Sequence, residues 1–112
     1  MMTPDLSVVV PLYNEQACVE PLLVALEAAW RSQGDDLKLD WEILLVNDGS
    51  LDATLDSAVA ASDACCLPVR VISLQRNFGQ TAAMQAGLEA ARGELIATMD
   101  GDLQNDPTDL PT

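Results

Sequence analysis

The sequence predicts an α/β fold built on a parallel sheet. Four short apolar runs are spaced along the chain, and the segments between them carry apolar residues at helical spacing. Alternating strands and helices favour right-handed crossovers between parallel strands. The loops that follow the strands then share one edge of the sheet, where ligands bind in open α/β folds.

The first strand and helix are predicted within residues 6–33. Residues 6–11 form an apolar run typical of a buried parallel strand, and residues 15–33 carry apolar side chains at helical spacing. Pro21 lies inside this helical pattern. We therefore expect the helix to begin near Glu20 or to be irregular in its first turn.

Three more strands and two more helices follow. The second strand is predicted at residues 41–46, and Ser50 is expected to cap a helix that ends near residue 64. A third strand is predicted at residues 69–74. The third helix, at about residues 81–91, is rich in alanine, so we expect it to pack closely on the sheet. Residues 94–99 are predicted to form the fourth strand.

Size and charge limit the class of protein. The 112 residues suit at most one domain, and we interpret them as part of a larger one. With 18 acidic residues against 5 basic ones, the formal charge of −13 opposes binding to nucleic acid. No apolar run approaches the length of about 20 residues that spans a bilayer, and no signal-peptide pattern is present. We expect a soluble, cytoplasmic chain.

Cysteine and histidine usage excludes two further kinds of site. The chain has three cysteines, of which Cys65 and Cys66 are adjacent, so a bridge between them would be strained. This pattern favours a reducing compartment. Histidine is absent, which excludes imidazole catalysis, and three scattered cysteines do not make a zinc site.

The strongest chemical signal lies in residues 96–107, where an apolar run ends in oxygen-bearing side chains at alternate positions. Residues i, i+2 and i+4 of an extended segment share a face, so Asp100, Asp102 and Gln104 can present their oxygens to one side. Such ligands suit Mg²⁺ or Mn²⁺. A polar turn after a buried strand is the alternative that these residues leave open.

Other ligand-binding signatures fail on this sequence. The Asp-x-Asp-x-Gln pattern imitates the first ligand positions of an EF-hand, but Asn105 stands where glycine is required and Pro111 where a bidentate glutamate is required. Neither a Gly-x-Gly-x-x-Gly nor a Walker loop occurs. A Rossmann dehydrogenase and a P-loop enzyme are therefore disfavoured.

Polar loops follow three of the predicted strands and would meet at one edge of the sheet. They are residues 13–15, 47–50 and 100–102. A nucleotide across this edge could stack its base on Tyr13, hydrogen-bond to Glu15 and Asp48, and bring its diphosphate to the metal. Each loop alone is also ordinary turn chemistry, so the interpretation depends on all three together. A bridging cation would reconcile an anionic ligand with an acidic chain.

Four ordered motifs carry a resemblance to a known family. They are residues 9–15, 46–54, 76–80 and 93–105. In this order they closely resemble family 2 glycosyltransferases of the GT-A fold, a Rossmann-like architecture. Within that family they are most similar to the polyprenyl-phosphate sugar transferases, the branch that includes the dolichyl-phosphate and undecaprenyl-phosphate enzymes. The resemblance covers nearly the whole chain.

The resemblance implies a role for each matching residue. For nucleotide binding it implies Pro11, Tyr13, Glu15, Asp48, Arg76 and Asp100, with Asp48 on the base and Arg76 near phosphate or ordering its loop. For the metal it implies Asp102 and Gln104, supported by Asp100. Two departures from the family pattern are Asn47, where many members have Asp, and Gly101, where many have Ala or Ser. The second is expected to loosen the metal loop.

The resemblance also implies the reaction: an inverting, Mg²⁺- or Mn²⁺-dependent transfer of a sugar from a nucleotide-sugar donor to a polyprenyl-phosphate acceptor. The metal would stabilise the leaving diphosphate. Residues 1–112 would be the donor-binding part of one domain, cut just after the Asp-x-Asp loop. Acceptor-side catalytic residues and membrane contact, at the cytoplasmic face, would belong to a missing C-terminal part, so we expect the fragment alone to be inactive.

Two other functions stay open on the residues alone. A noncatalytic module that binds a nucleotide sugar or a divalent ion also fits, because all the candidate residues are ligand-binding ones and none is a candidate nucleophile. A nucleotidyltransferase fits less well, since it should carry a glycine-rich, basic loop after the first strand. Residues 11–15 are neither glycine-rich nor basic.

Overall fold

The computed structural model describes residues 4–33 and 39–99. Within them strands and helices alternate in the predicted order, which confirms the fold class. The elements are β1 (Leu6–Leu12), α1 (Gln16–Arg31), β2 (Trp41–Asn47), α2 (Thr54–Ala64), β3 (Val69–Ser73), α3 (Gln80–Ala90) and β4 (Leu95–Thr98). The predicted metal ligands Asp100, Asp102 and Gln104 lie outside the described residues.

The structure defines the start of the first helix, for which the sequence left two possibilities. Helix α1 begins at Gln16 and contains Pro21, so the prediction of a start near Glu20 is wrong and the alternative of an irregular first turn applies. In that turn the Cys18 N–H donates to the Glu15 carbonyl over 2.9 Å. This bond joins residues three positions apart, as in a 3₁₀-helix, and not four apart as in an α-helix. Because proline lacks an N–H, it is tolerated best close to a helix start.

The start of α2 corrects the predicted cap at Ser50. The helix begins four residues later, at Thr54, with Ala53 at its N-cap position. The Ser50 hydroxyl instead accepts the Asn14 N–H over 3.0 Å. Ser50 therefore joins two loops and does not cap a helix.

The sheet has the order β3-β2-β1-β4, with every neighbouring pair parallel. Strand β1 is central: it pairs with β2 over seven residues and with β4 over four, from Leu6–Leu95 to Val9–Thr98. The chain moves outward from β1 to β3 and then returns to the other side of β1. This reversal between β1 and β4 is a topological switch point, and ligands bind beyond the strand ends at such points.

The helices cover both faces of the central strands. Alternate side chains of β1, such as Val8 and Val10, pack with α1 and α2 in the larger core, whereas Val9 packs with α3 in a smaller one. The predicted close packing of α3 is confirmed at Gly87, where an added Cβ would lie 2.3 Å from Val9 Cγ1. In agreement with burial on both faces, β1 and β2 are mainly apolar, and Ser7 and Glu42 interrupt the two runs.

A buried polar cluster joins the centre of the sheet to the turn before β4. Glu42, which is 5% exposed, accepts hydrogen bonds from Ser7 Oγ over 2.5 Å, the Arg92 N–H over 2.7 Å and Arg70 Nη2 over 3.0 Å. Ser7 Oγ in turn accepts the Gly93 N–H over 2.8 Å. Burial raises the pKa of Glu42, but the bonds from Ser7, Arg92 and Arg70 outweigh it and leave the pKa below its ordinary value.

Candidate functional site

The loops that the sequence singled out after β1 and β2 meet at the carboxyl edge of the sheet. Residues 13–15 follow β1, and residues 48–50 follow β2. The Asp48 N–H donates to the Leu12 carbonyl over 2.8 Å, which extends the β1–β2 pairing into the loops. A third loop, residues 74–79, follows β3 at the same edge.

The loops after β1 and β2 are hydrogen-bonded to each other. Asn14 has a left-handed backbone, with φ of 52°, and this conformation is well tolerated by asparagine. Its side-chain oxygen accepts the Leu51 N–H over 2.8 Å, while its own N–H donates to Ser50 Oγ. Each loop therefore fixes the other. The sequence analysis missed this role of Asn14, although an asparagine just after the end of a strand is a recognisable turn signal.

Glu15 and the start of α2 are joined through one hydroxyl group. Thr54 Oγ1 accepts the Glu15 N–H over 2.9 Å and donates to the Asp52 carboxylate. The Thr54 N–H also donates to Asp52 over 2.9 Å. These bonds, the hydroxyl first, lower the pKa of Asp52. The backbone at Glu15 is therefore held by α2, which fixes where its side chain begins.

Three residues predicted to line a nucleotide pocket lie on or just after β1. Pro11 is buried and in register with Val46. Tyr13 is 40% exposed, and its N–H donates to Glu15 Oε1 over 3.1 Å. The exposed Tyr13 ring can stack on a planar group. The Glu15 carboxylate can accept hydrogen bonds from the polar substituents of such a group.

Asp48, which was predicted to bind the base, lies at the end of β2 beside the loop after β3. It is 2% exposed, and both carboxylate oxygens accept hydrogen bonds from the loop after β3. Oδ1 accepts the Phe78 N–H over 2.8 Å; Oδ2 accepts the Gly79 N–H over 3.1 Å and Asn77 Nδ2 over 3.0 Å. Asn77 Nδ2 also lies 3.2 Å from the Asp48 carbonyl oxygen. The sequence analysis missed Asn77, which stands next to Arg76 in one of the four motifs.

Gly49 allows the loop after β2 to touch the loop after β3. Its φ of 65° is left-handed, and an added Cβ would lie 2.1 Å from the Arg76 carbonyl carbon and 2.3 Å from the Asn77 nitrogen. Only glycine fits this contact. The Arg76 guanidinium lies over the Phe78 ring, 4.8 Å from its centroid, in a cation–π arrangement.

Asn47, one of the two departures from the family pattern, also has a defined role. Its Nδ2 donates to Ser73 Oγ over 3.2 Å, and its Oδ1 accepts the Ser50 N–H over 3.2 Å. The amide can do both because it carries a donor and an acceptor. It therefore links the ends of β2 and β3 to the loop after β2.

A pocket of ≈ 560 Å³ opens among these loops, within the size range of ligand sites. The residues that line it include Tyr13, Ser50, Arg76 and Asn77. A larger groove of ≈ 1110 Å³ runs between α1 and α2 and reaches this edge only through residues 14–16 and Asp52. Because the polar strand-end loops line the smaller pocket, we regard that pocket as the candidate site.

The described residues hold only part of the predicted constellation. Tyr13 and Arg76 line the smaller pocket, whereas Glu15 lines the larger groove and accepts the Tyr13 N–H. Within residues 4–33 and 39–99, no group of three or more Cys, Asp or Glu side chains is arranged to hold a metal ion. The last residue of β4, Thr98, lies beside Val9 of β1, and the predicted ligands follow β4 in the sequence. No helix in the described part of the chain is long and apolar enough to cross a bilayer.

Comparison with known proteins decides the family. The model of glycosyl transferase family 2 matches residues 7–112. The chain belongs to this family. The resemblance stated from the four motifs is thereby confirmed. The matched residues include the strand-end loops that line the candidate site.

Two relatives show which branch the chain resembles. It is 55% identical over 108 residues to dodecaprenyl-phosphate galacturonate synthase of Rhizobium johnstonii, covering 96% of this chain and 31% of the relative. It is 44% identical over 105 residues to undecaprenyl-phosphate 4-deoxy-4-formamido-L-arabinose transferase of Pseudomonas fluorescens, covering 94% of this chain and 30% of the relative. The chain thus spans about 30% of the length of these relatives.

Solved structures share the fold. S. aureus TarS, residues 1–349, superposes with a TM-score of 0.70 and 28% identity, over 88% of this chain and 27% of TarS. The mannosyltransferase PcManGT of Pyrobaculum calidifontis, in complex with GDP-Man and Mn²⁺, gives a TM-score of 0.74 at 24% identity over 91% of this chain and 28% of that one. Both confirm the α/β architecture.

Proposed function

We propose that the protein to which this chain belongs transfers a sugar from a nucleotide-sugar donor to a polyprenyl-phosphate acceptor, and that residues 1–112 are its donor-binding part. The observation that carries the proposal is the hydrogen-bonded set of loops at the carboxyl edge of β1 and β2 in a family 2 chain. The named relatives, a dodecaprenyl-phosphate synthase and an undecaprenyl-phosphate transferase, support the choice of a lipid-phosphate acceptor.

The donor nucleotide would lie across the strand ends. Tyr13 would stack against the base, Glu15 would accept hydrogen bonds from the base or ribose, and Pro11 would fix the strand end beneath them. Arg76 would offset phosphate charge, which matters in a chain with a formal charge of −13. A TarS structure in complex with UDP-GlcNAc, 27% identical over 88% of this chain, supports a nucleotide-sugar ligand for this fold.

The divalent cation, Mg²⁺ or Mn²⁺, would be held by Asp102 and Gln104 with support from Asp100. Two carboxylates and an amide oxygen form a donor set that fits a hard cation. When bound, the cation would stabilise the charge that develops on the departing diphosphate. These residues are proposed from the sequence, since they lie outside the described part of the chain.

The transfer itself would need little assistance from a base. A phosphate oxygen of the acceptor, already anionic, would attack the anomeric carbon while the bond to the nucleoside diphosphate breaks on the opposite face, which inverts the configuration. The tasks of the donor half would be to orient the sugar and to stabilise the leaving group. Contact with the membrane, at its cytoplasmic face, would fall to residues beyond this chain.

The deciding experiment measures sugar transfer and donor binding in the full-length protein. Transfer of a labelled sugar from UDP- and GDP-linked donors to undecaprenyl phosphate is compared in the parent, Tyr13→Ala and Leu88→Ala. Tyr13 and Leu88 are 40% and 41% exposed, so the second variant is a matched control on α3. We expect Tyr13→Ala to lose at least about tenfold in donor affinity, the cost of one stacking contact, and Leu88→Ala to lose none.

The alternative of a noncatalytic binding module makes a different forecast for the same assay. A module would bind the donor in a Tyr13-dependent manner without transferring sugar to any polyprenyl phosphate. Absence of transfer by the full-length protein, with binding intact, would replace the proposed enzyme with this module. Absence of both would remove the site assignment as well.

A further inference from the structure

We infer that Thr54 is a positioning residue: its hydroxyl, oriented by Asp52, holds the backbone at Glu15 and thereby sets the position of the Glu15 carboxylate for the donor. This inference rests on the proposed function, in which Glu15 accepts hydrogen bonds from the base or ribose. Both Thr54 and Asp52 lie in the motif at residues 46–54, and neither is among the residues expected to contact the nucleotide.

The contacts of the Thr54 hydroxyl determine where its single hydrogen points. Oγ1 is bonded to Asp52 Oδ1 and lies 2.9 Å from the Glu15 nitrogen. A backbone N–H can only donate, and an ionised carboxylate can only accept. The hydroxyl therefore gives its hydrogen to Asp52 and presents an oxygen lone pair to the Glu15 N–H. Thr54 is fully buried, so water cannot readily replace this oxygen.

The Asp52 carboxylate is held in the form that accepts this hydrogen. Its pKa is lowered, first by the bond from the Thr54 hydroxyl and further by bonds from the backbone N–H groups of Thr54 and Gln16, which together outweigh the effect of burial. The Thr54 N–H lies 2.9 Å from the same oxygen, Oδ1. Several donors thus converge on one carboxylate and fix the orientation of the hydroxyl.

The start of α1 is thereby capped from the segment that leads into α2. Backbone N–H groups in the first turn of a helix lack partners within the helix. Thr54 accepts the N–H of Glu15, the N-cap residue of α1. Asp52 is bonded to the N–H of Gln16, the first residue of the helix. The Gln16 side chain returns the contact, because its Oε1 accepts the Ala53 N–H over 3.2 Å. The two helix starts are therefore joined in both directions.

The position of the Glu15 backbone affects two groups proposed to bind the donor. One is the Glu15 carboxylate itself. The other is Tyr13, whose N–H donates to Glu15 Oε1 over 3.1 Å. A shift at residue 15 should therefore move the carboxylate and loosen the residue proposed to stack on the base. Because a small misplacement of a binding group can weaken binding severely, loss of the Thr54 hydroxyl should be detected by the donor without any direct contact.

The first test measures binding of UDP or GDP, whichever the parent binds more tightly, by calorimetry with Mn²⁺ in the full-length protein. Thr54→Val keeps the shape of the side chain but removes the hydroxyl, so we expect the affinity to fall by at least about fivefold. Thr54→Ser restores the hydroxyl and should bind within about twofold of the parent. Ser62→Ala removes a hydroxyl whose bond stays within α2, and as the control it should not change the affinity. A purely structural role of Thr54 would lower the fraction of protein that binds and leave the dissociation constant unchanged, which would overturn the inference.

The second test determines whether Thr54 acts through Glu15. Glu15→Ala removes the carboxylate that Thr54 is inferred to position, so adding Thr54→Val to this variant should lower the affinity by less than about twofold further. If the two losses multiply in full, Thr54 acts independently of Glu15 and the inference is overturned. If Thr54→Val does not fold, Asp52→Ala decides, because it removes the acceptor that orients the hydroxyl. We expect Asp52→Ala to lose about threefold in affinity, and an unchanged affinity would equally overturn the inference.

The two proposals can fail separately. If the parent binds neither UDP nor GDP, the proposed function fails, and the positioning of Glu15 for a donor fails with it. Amide hydrogen exchange at Glu15 would then still report the bond to Thr54, with exchange about tenfold faster in Thr54→Val and restored in Thr54→Ser. If the parent and Thr54→Val bind the nucleotide equally well, the positioning role fails and donor binding stands.

Discussion

Strands β1 and β4 are neighbours in one sheet, yet they lie in opposite environments. All seven residues of β1 are buried, whereas Leu95 and Ile96 of β4 are 55% and 47% exposed. Successive residues of a strand point to opposite faces, so β4 is exposed on both of its faces. The centre of the sheet therefore supplies the stability, while the proposed metal ligands follow its least buried strand in the sequence.

This difference indicates how the two parts would contribute to the proposed transferase. A central pair such as β1 and β2 can hold binding loops rigidly because both faces of its strands are packed. An edge strand with exposed apolar side chains has surface to bury against further structure. The relatives are about three times longer than this chain, in agreement with the proposal that additional structure completes the domain.

The largest expected effect is a difference in stability between variants of the central strands and variants of β4. Leu45→Ala removes a fully buried side chain from β2 and should lower the free energy of unfolding by about 2–5 kcal/mol. Leu95→Ala makes the same chemical change on β4 at 55% exposure, and we expect a loss under about 1 kcal/mol. Urea denaturation of both variants measures the difference. Equal losses would show that β4 is as well packed as the centre.

The second effect concerns activity, and here the larger loss is expected from a residue that follows β4. In the full-length protein Asp102→Asn should lower sugar transfer by at least about a hundredfold, roughly 2.7 kcal/mol of transition-state stabilisation, because a hard cation loses a charged ligand. Stability should change little, since the side chain is proposed to contact a cation and no core residue. Asp106→Asn is the matched control. Donor affinity that keeps its full metal dependence in Asp102→Asn would remove the metal assignment.

The third effect concerns the hydrogen bond that connects β2 to the turn before β4. Glu42 on β2 binds the Arg92 N–H in the turn before β4, so Glu42→Gln should lower the free energy of unfolding at pH 7 by about 1–3 kcal/mol. Because the pKa of Glu42 is lowered in the folded state, its contribution is complete above the ordinary glutamate pKa of about 4.3 and is lost as the pH falls through the folded value.

Denaturation curves at a series of pH values check this assignment. The stability difference between the parent and Glu42→Gln should be largest near neutrality and should shrink as the pH falls below about 4. Glu20→Gln, an exposed change on α1, controls for the general loss of one negative charge. A difference that does not depend on pH would mean that the shape of Glu42, and not its charge, matters.

The sequence predicted much of this architecture because the relevant signals are local. The apolar run at residues 6–11 and the small residues of α3 each indicated a structure that the fold confirms. The exposure of β4 could not be predicted, since residues 94–99 look like a strand of the same kind and burial depends on which neighbours are present. The cap at Ser50 was predicted wrongly because Asn14, 36 residues away, competes for the same hydroxyl.

The site was predictable only in part, for the same physical reason. Tyr13 and Glu15 adjoin the end of a predicted strand, so their place at the edge follows from the topology. The partners of Asp48 are 29 to 31 residues away, on a loop whose path depends on the packing of α3. A motif identifies such an aspartate without showing whether it binds the ligand or the protein.

The last prediction concerns self-association through the exposed edge of β4, which tests that edge directly and involves the smallest change in stability. Strand β4 stands at the end of the β3-β2-β1-β4 order, and within the described residues its outer edge pairs with no strand. Exposed edges with apolar side chains pair readily with other chains. We therefore expect the 112-residue chain to self-associate in light scattering over about 1–100 µM. Association should increase with salt, because screening weakens the repulsion of chains with a charge of −13.

A charge on the edge should suppress this association. Ile96→Lys should shift the chain toward the monomer while changing its free energy of unfolding by about 0.5 kcal/mol or less. Val59→Lys on α2 introduces the same charge at the same 47% exposure and should leave association unchanged apart from the small reduction in net charge. If both variants dissociate equally, the charge alone governs association and β4 is no more adhesive than a helix face. If the parent is monomeric throughout, the exposed edge needs no cover, and the contrast between β1 and β4 is one of stability alone.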